Sequence, residues 1–148
     1  MADSADIASI ADWFRQWGAL VSAVDFVPAR ALFDKDVVGF GTFQDQVHGQ
    51  AALEAEQWRR VWPTIEDFAF DTGSLVAQVS PDRLMASAAI LWTSTGIAED
   101  GSRFPRPGRC TVALRRDAVD APWKGIHTHF SLHRGVPQRS HGQRQPRS

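Results

Sequence analysis

The sequence contains no tyrosine, one cysteine (Cys110) and two methionines among its 148 residues. A lone thiol forms no internal disulfide and supplies no cysteine-rich metal cluster, a usage that suits a reducing cytoplasm. No run approaches about 18 consecutive apolar residues, so no membrane-spanning helix is expected. The opening MADSADIASIAD carries acidic residues and no basic stretch, unlike a secretory signal. Excess charge is missing too: 16 basic against 17 acidic residues leave a net charge of -1, with no electrostatic footprint for nucleic acid. These absences predict a cytoplasmic protein with neither a nucleic-acid nor a membrane partner.

Aromatic residues of two kinds are abundant: six Trp and nine Phe. Either the core is rich in rings or rings line a cavity. The length suits one domain, which is able to bury a core without staples. We place that domain at residues 1–135. Residues 136–148 (VPQRSHGQRQPRS) hold three arginines and no acid, and their composition predicts a basic, disordered tail.

Hydrophobic period divides the chain in two. Ser4 is a candidate N-cap, and Ile7, Ile10, Phe14, Trp17, Val21 and Val24 then recur at three- and four-residue steps, predicting a long amphipathic helix. Asp25 caps a shorter helix through Pro28, ended by Asp34-Lys35-Asp36. A strand at 37–43 follows, and then a helix with Ala51, Ala55, Trp58 and Trp62 on one face, stopped at Pro63. From Thr64 the period becomes two. Strands are predicted at 68–70, 74–80, 84–96, 109–116 and 123–133, joined by turns. Long antiparallel strands with short connections twist and curl, here around three N-terminal helices, so the fold class is α+β with a cone-shaped antiparallel sheet.

The stretches ALFDKDVVGFG, HGQAAL, GRCTVALRR and PWKGIHTHFSL resemble the nuclear transport factor 2-like superfamily, which includes SnoaL-like and ketosteroid isomerase-like proteins. The resemblance spans about residues 5–135. It implies a cystatin-like cone with an apolar cavity, a homodimer formed through the outer face of the sheet, and either cofactor-free acid/base chemistry (isomerisation, dehydration, cyclisation) or no catalysis at all. Laid on the ketosteroid isomerase pattern, the family's tyrosine falls at Trp17 and its catalytic carboxylate at Gly41. Neither residue supplies that chemistry, which needs a carboxylate base and a hydrogen-bond donor pair. Asp45, four residues on, is the outside candidate for a base.

Chemistry in this sequence concentrates in GIHTHFSLHRG (125–135). Alternation puts His127 and His129 on one face of a strand, joined across the hairpin by Arg109 and Thr111. Val112, Leu114, Phe130 and Leu132 form the other layer. A histidine pair at i, i+2 suits a transition metal, but a site needs a third ligand, and His133 lies about 13 Å along the strand from His129. No metal and no cofactor are therefore expected. The pair could instead act as acid and base, or could serve only strand packing or a subunit interface. Arg109 could hold a carboxylate or pair with Glu54, Asp67 or Asp71. The candidate catalytic residues are thus His127, His129 and Asp45. The candidate ligand-binding residues are Trp17, Phe43, Trp58, Trp62, Trp92, Arg109 and Thr111, facing a small apolar or aromatic molecule. The competing reading is a non-catalytic homodimeric module for binding or assembly.

Overall fold

Ile10, Phe14, Trp17 and Val21, three or four residues apart, are all buried on one side of α1 (Ser4–Ala23) in the computed structural model, which describes residues 3–148. The helix starts one residue earlier than expected: Asp3, not Ser4, is the N-cap, its carboxylate accepting from the Ala5 amide at 2.7 Å. Val24 ends it in a left-handed conformation (φ 53°). A short α2 (Phe26–Ala29) runs into a 3-10 turn (Arg30–Leu32). The third helix is composite. α3 (Gln50–Leu53) continues as a π-helical turn (Glu54–Trp58), α4 (Arg59–Val61) and a 3-10 turn (Trp62–Thr64) that holds the expected stop at Pro63.

The strands are β1 (Phe33–Phe40), β2 (Val47–His48), β3 (Ile65–Val79), β4 (Met85–Ile97), β5 (Arg103–Pro105), β6 (Gly108–Arg115) and β7 (Lys124–Leu132). They form one sheet in the order β2-β1-β7-β6-β4-β3, with β5 added beside β4. The acidic Asp34-Lys35-Asp36 lies inside β1 rather than in a turn, and the two strands expected at 68–70 and 74–80 are one continuous β3. The sheet is also not wholly antiparallel, because β1 runs parallel to β7. Everything from β2 to β6 lies between those two strands in the chain, so no tight hairpin dictates their direction. Register shifts within the β3–β4 pairing, between Glu66 and Ala69 and between Asp71 and Val76, mark where β3 bends. Bends of this kind curl the sheet around the helices.

The rings pack edge-on and stacked in a contiguous set. Trp17 meets Phe33 at 4.9 Å, Phe33 meets Trp58 at 5.2 Å, and Trp58 stacks on Trp62 at 4.9 Å. On the sheet side Trp92 contacts Phe68 and Phe130 at 5.5 and 5.8 Å. Among the described residues no helix is long and apolar enough to cross a membrane.

Residues 136–148 depart from the disordered tail that their composition predicts. The segment lies against the body as a strap. The amides of His141, Gly142, Arg144 and Arg147 donate to the carbonyls of Ile97, Thr64, Pro63 and Val24 at 2.8, 3.2, 2.8 and 2.8 Å. Ser140 is buried, accepting from the Ile97 amide at 2.8 Å and donating to the Thr64 carbonyl. Composition reports whether a segment can build its own core; this one borrows backbone partners that the body leaves open.

Candidate functional site

Pairing register decides which side chains look into the cone. Across β6 and β7, Cys110 lies opposite Phe130 and Val112 opposite Thr128, and Gly108, Cys110, Val112 and Leu114 are all buried. That layer is concave. The intervening residues turn outward, correcting the expectation that they face a ligand. His129 and Thr111 are exposed and sit opposite one another, and Arg109 donates from Nε to the Ser131 hydroxyl across the strand at 2.9 Å. His127, half-buried, donates from Nδ1 to the Val38 carbonyl at 2.8 Å and meets the Phe40 ring edge-on at 4.8 Å. A shared apolar layer was readable in the sequence; its facing inward excludes the histidine layer from the cavity.

Asp45 is exposed in the loop between β1 and β2, away from the cone's interior. Phe43, 53% exposed, lines an outer groove under the Arg60 guanidinium instead of the cavity wall. Glu54, weighed as a partner for Arg109, is held by Arg30 and Arg59, with its carboxyl below the usual range chiefly through the Arg30 hydrogen bond. Among the described residues no group of three His, Cys, Asp or Glu side chains is placed to share a metal ion.

What does line the cone is aromatic. A cavity of about 30 Å³ is walled by Trp17 and Val21 of α1, by Trp58 and Trp62 of the third helix, and by Phe68, Trp92 and Phe130 of the sheet. Within the π-helical turn the neighbours Gln57 and Trp58 are both buried, and both line the cavity. Gln57 packs so closely on the backbone that a Cβ at position 41 would lie 2.1 Å from its amide nitrogen, which is why Gly41 stands there.

Four buried side-chain polar atoms among the described residues have no hydrogen-bond partner: Trp17 Nε1, Trp92 Nε1, Gln57 Oε1 and Arg106 Nε. All four belong to residues that line this one cavity. Buried polar atoms without partners are rare and ask for an explanation. Arg106, 2% exposed, sits at the mouth, where Thr42, Val61 and Arg106 separate the cavity from a groove of about 620 Å³. Its Nη2 donates to the Thr42 hydroxyl at 3.3 Å and to the strap's Gln138 carbonyl at 2.7 Å. Burial lowers its pKa to about 10, so it stays charged at neutral pH. Sequence reasoning passed over it for Arg109. The signal was present: continuing the parity of Leu114, Val112, Cys110 and Gly108 by one more step places Arg106 on the apolar face, and the following Pro107 favours the extended backbone this requires.

Comparisons with known proteins agree with this fold. Residues 10–134 match the SnoaL-like domain. No protein of curated function matches the chain. Among solved structures, a nuclear transport factor 2-like superfamily protein from Salmonella enterica superposes with a TM-score of 0.73 at 16% identity, over 93% of this chain and 99% of its own. A ketosteroid isomerase-like protein from Erwinia carotovora atroseptica gives 0.72 at 19% identity, over 88% and 98%. The association domain of C. elegans CaMKII gives 0.65 at 14% identity, over 86% and 95%. At these identities the structural likenesses speak for the fold alone, and the domain match carries the assignment: this chain belongs to the SnoaL-like family, on the nuclear transport factor 2-like fold.

Proposed function

We propose that this protein binds a small aromatic or largely apolar molecule at the ring-lined end of its cone, without acid/base catalysis. The observation that carries this reading is that all four unpartnered buried polar atoms belong to residues lining one aromatic cavity. A guest that brought matching polar atoms would satisfy them while its body packed on the rings. Among the described residues no Asp, Glu, His, Cys or Lys lines that cavity, so proton abstraction finds no side chain there to perform it. The free space as it stands has room for about two or three water molecules, too little for a ring. A ring therefore binds only as the mouth opens, and the mouth is bounded by the strap and by the loop at Thr42. The test is a titration with p-cresol, neutral at pH 7, followed on the indole N–H resonances. Saturable shifts at Trp17 and Trp92 are expected, and no shift, or shifts confined to Trp13 and Trp123 outside the cavity, would overturn the reading.

A homodimer through that outer face is our second proposal. Val76, Met85 and Leu91 are 65, 43 and 42% exposed there. Val76 continues the cross-strand row Phe40–His129–Thr111–Ala89. A second copy would cover this apolar centre and use the histidine layer at its rim. Sedimentation should show a dimer at micromolar concentration that L91D dissociates; a monomer at 100 µM (roughly the upper working range for such contacts) would end the proposal.

A further inference from the structure

We propose that the mouth of the cone is a carboxylate site, which takes a small aromatic monocarboxylate ring first and holds its carboxylate on Arg106 in place of the strap's Gln138 carbonyl. This rests on the reading that the cavity admits a ring, and adds the charge and orientation of the guest.

Three observations converge on it. First, Arg106 is a buried cation without a countercharge: among the described residues it makes no ion pair, and its Nε–H has no acceptor. A guanidinium presents its donors as a planar fork matched to a carboxylate, so the missing acceptor and the missing charge can be one group. Second, donors exceed acceptors around the cavity. Trp17 Nε1–H, Trp92 Nε1–H and Arg106 Nε–H are unpartnered against the single acceptor Gln57 Oε1, so the guest must bring lone pairs. Third, the groove outside the mouth is basic. Arg60 and Arg139 line it together with Arg106, and among the described residues no acidic side chain does and none of the three arginines is paired with a carboxylate. Such a rim attracts anions, while the interior beyond Arg106 offers rings and no further cation, which orients the guest.

The strap already imitates the guest. Its Gln138 carbonyl takes one guanidinium N–H at 2.7 Å as a carboxylate oxygen would, but without charge and without reaching Nε. A carboxylate offers two oxygens and a full charge to the same fork, so ligand and strap compete for Arg106. Ser140, bonded to Ile97 and Thr64, anchors the strap in the occupied position.

The test is calorimetric titration of the full chain with 3-phenylpropionate, with its neutral isostere 3-phenylpropionamide, and with inorganic phosphate. The acid should bind about tenfold or more tightly than the amide, as a charge-assisted pair allows, and phosphate should not compete. In R106Q acid and amide should bind alike, and S140A, with its strap loosened, should bind the acid more tightly than the native chain does. Equal affinity of acid and amide for the native protein overturns the carboxylate site, and needs no variant to fold; if p-cresol still binds, the ring-binding reading survives. Phosphate binding as tightly as the acid overturns the ring-first orientation. An S140A affinity no higher than native overturns displacement of the strap. If acid, amide and p-cresol all fail to bind, both readings fall together.

Discussion

Two arginines are buried at opposite ends of α1, and the fold treats them differently. Near the first turn, Arg116 donates from Nη2 to Asp6 at 2.7 Å and from Nε to the Arg83 carbonyl at 2.9 Å, while its guanidinium lies 4.0 Å over Trp123. Asp6 is closed from its other side by Arg83, through contacts of 2.7 and 3.0 Å. Near the last turn, Arg106 lies 5.9 Å from the Trp92 ring centre with a neutral carbonyl, a hydroxyl and an empty-handed Nε. The first end has brought its countercharge from its own chain and is scaffold. At the second end the fold carries an uncompensated charge, the expected state of a place that completes itself with something from outside.

Breaking the scaffold end should cost most. D6N leaves Arg116 buried without its partner and should lower stability by about 3 kcal/mol or more, read from urea midpoints. The same contact can be titrated. Asp6 is lowered from 3.8 to about 2, first by the Arg83 hydrogen bond and then, against the opposing effect of burial, by Arg116. Because the folded chain keeps Asp6 ionised where the unfolded chain protonates it, its contribution is full above about pH 4 and fades as the pH falls toward 2. The urea midpoint should drop across that window in the native protein, and by less in D6N. S140A removes two hydrogen bonds from the strap and should cost about 1 kcal/mol. R106M, which replaces an unpaired cation by an apolar chain, should change stability by less than about 1 kcal/mol in either direction. If R106M proves as damaging as D6N, the contrast between the two ends collapses. The smallest effect belongs to H129A, on the exposed outer face, at under about 0.5 kcal/mol, with ligand affinity unchanged.

Much of the architecture was legible because it rests on period. The spacing of Ile10, Phe14, Trp17 and Val21 specifies the buried stripe of α1, and the alternation of Val112, Leu114, Phe130 and Leu132 specifies one layer of the last hairpin. Period does not carry an absolute direction, however. Both faces of β7 are mixed, and only the concave packing of Phe130 on Trp17 and Trp92 shows that the histidines look outward. Histidine draws attention as a chemical residue, and here His127 is spent on joining β7 to β1. Arg106, set between two prolines, carried no motif, and its importance comes from what fails to surround it. The parallel β1–β7 pair and the docked strap were invisible for a related reason: both are held by backbone groups, which every sequence possesses equally.

The π-helical turn at Glu54–Trp58 encodes the cavity wall as a residue count. It spends about one residue more per turn than an α-helix does, so what lies beyond it is rephased by roughly 100° relative to Leu53. Deleting a single small residue there, such as Ala55, would change neither hydrophobicity nor charge. It would let the helix relax to ordinary α geometry with Trp62 in the same phase, whereas winding the same residues as α-helix at unchanged length would turn Trp62 away from the stack it makes with Trp58 and Phe26. Substitutions along this segment thus alter how well the wall is filled, whereas the match between its length and its winding decides whether there is a wall at all.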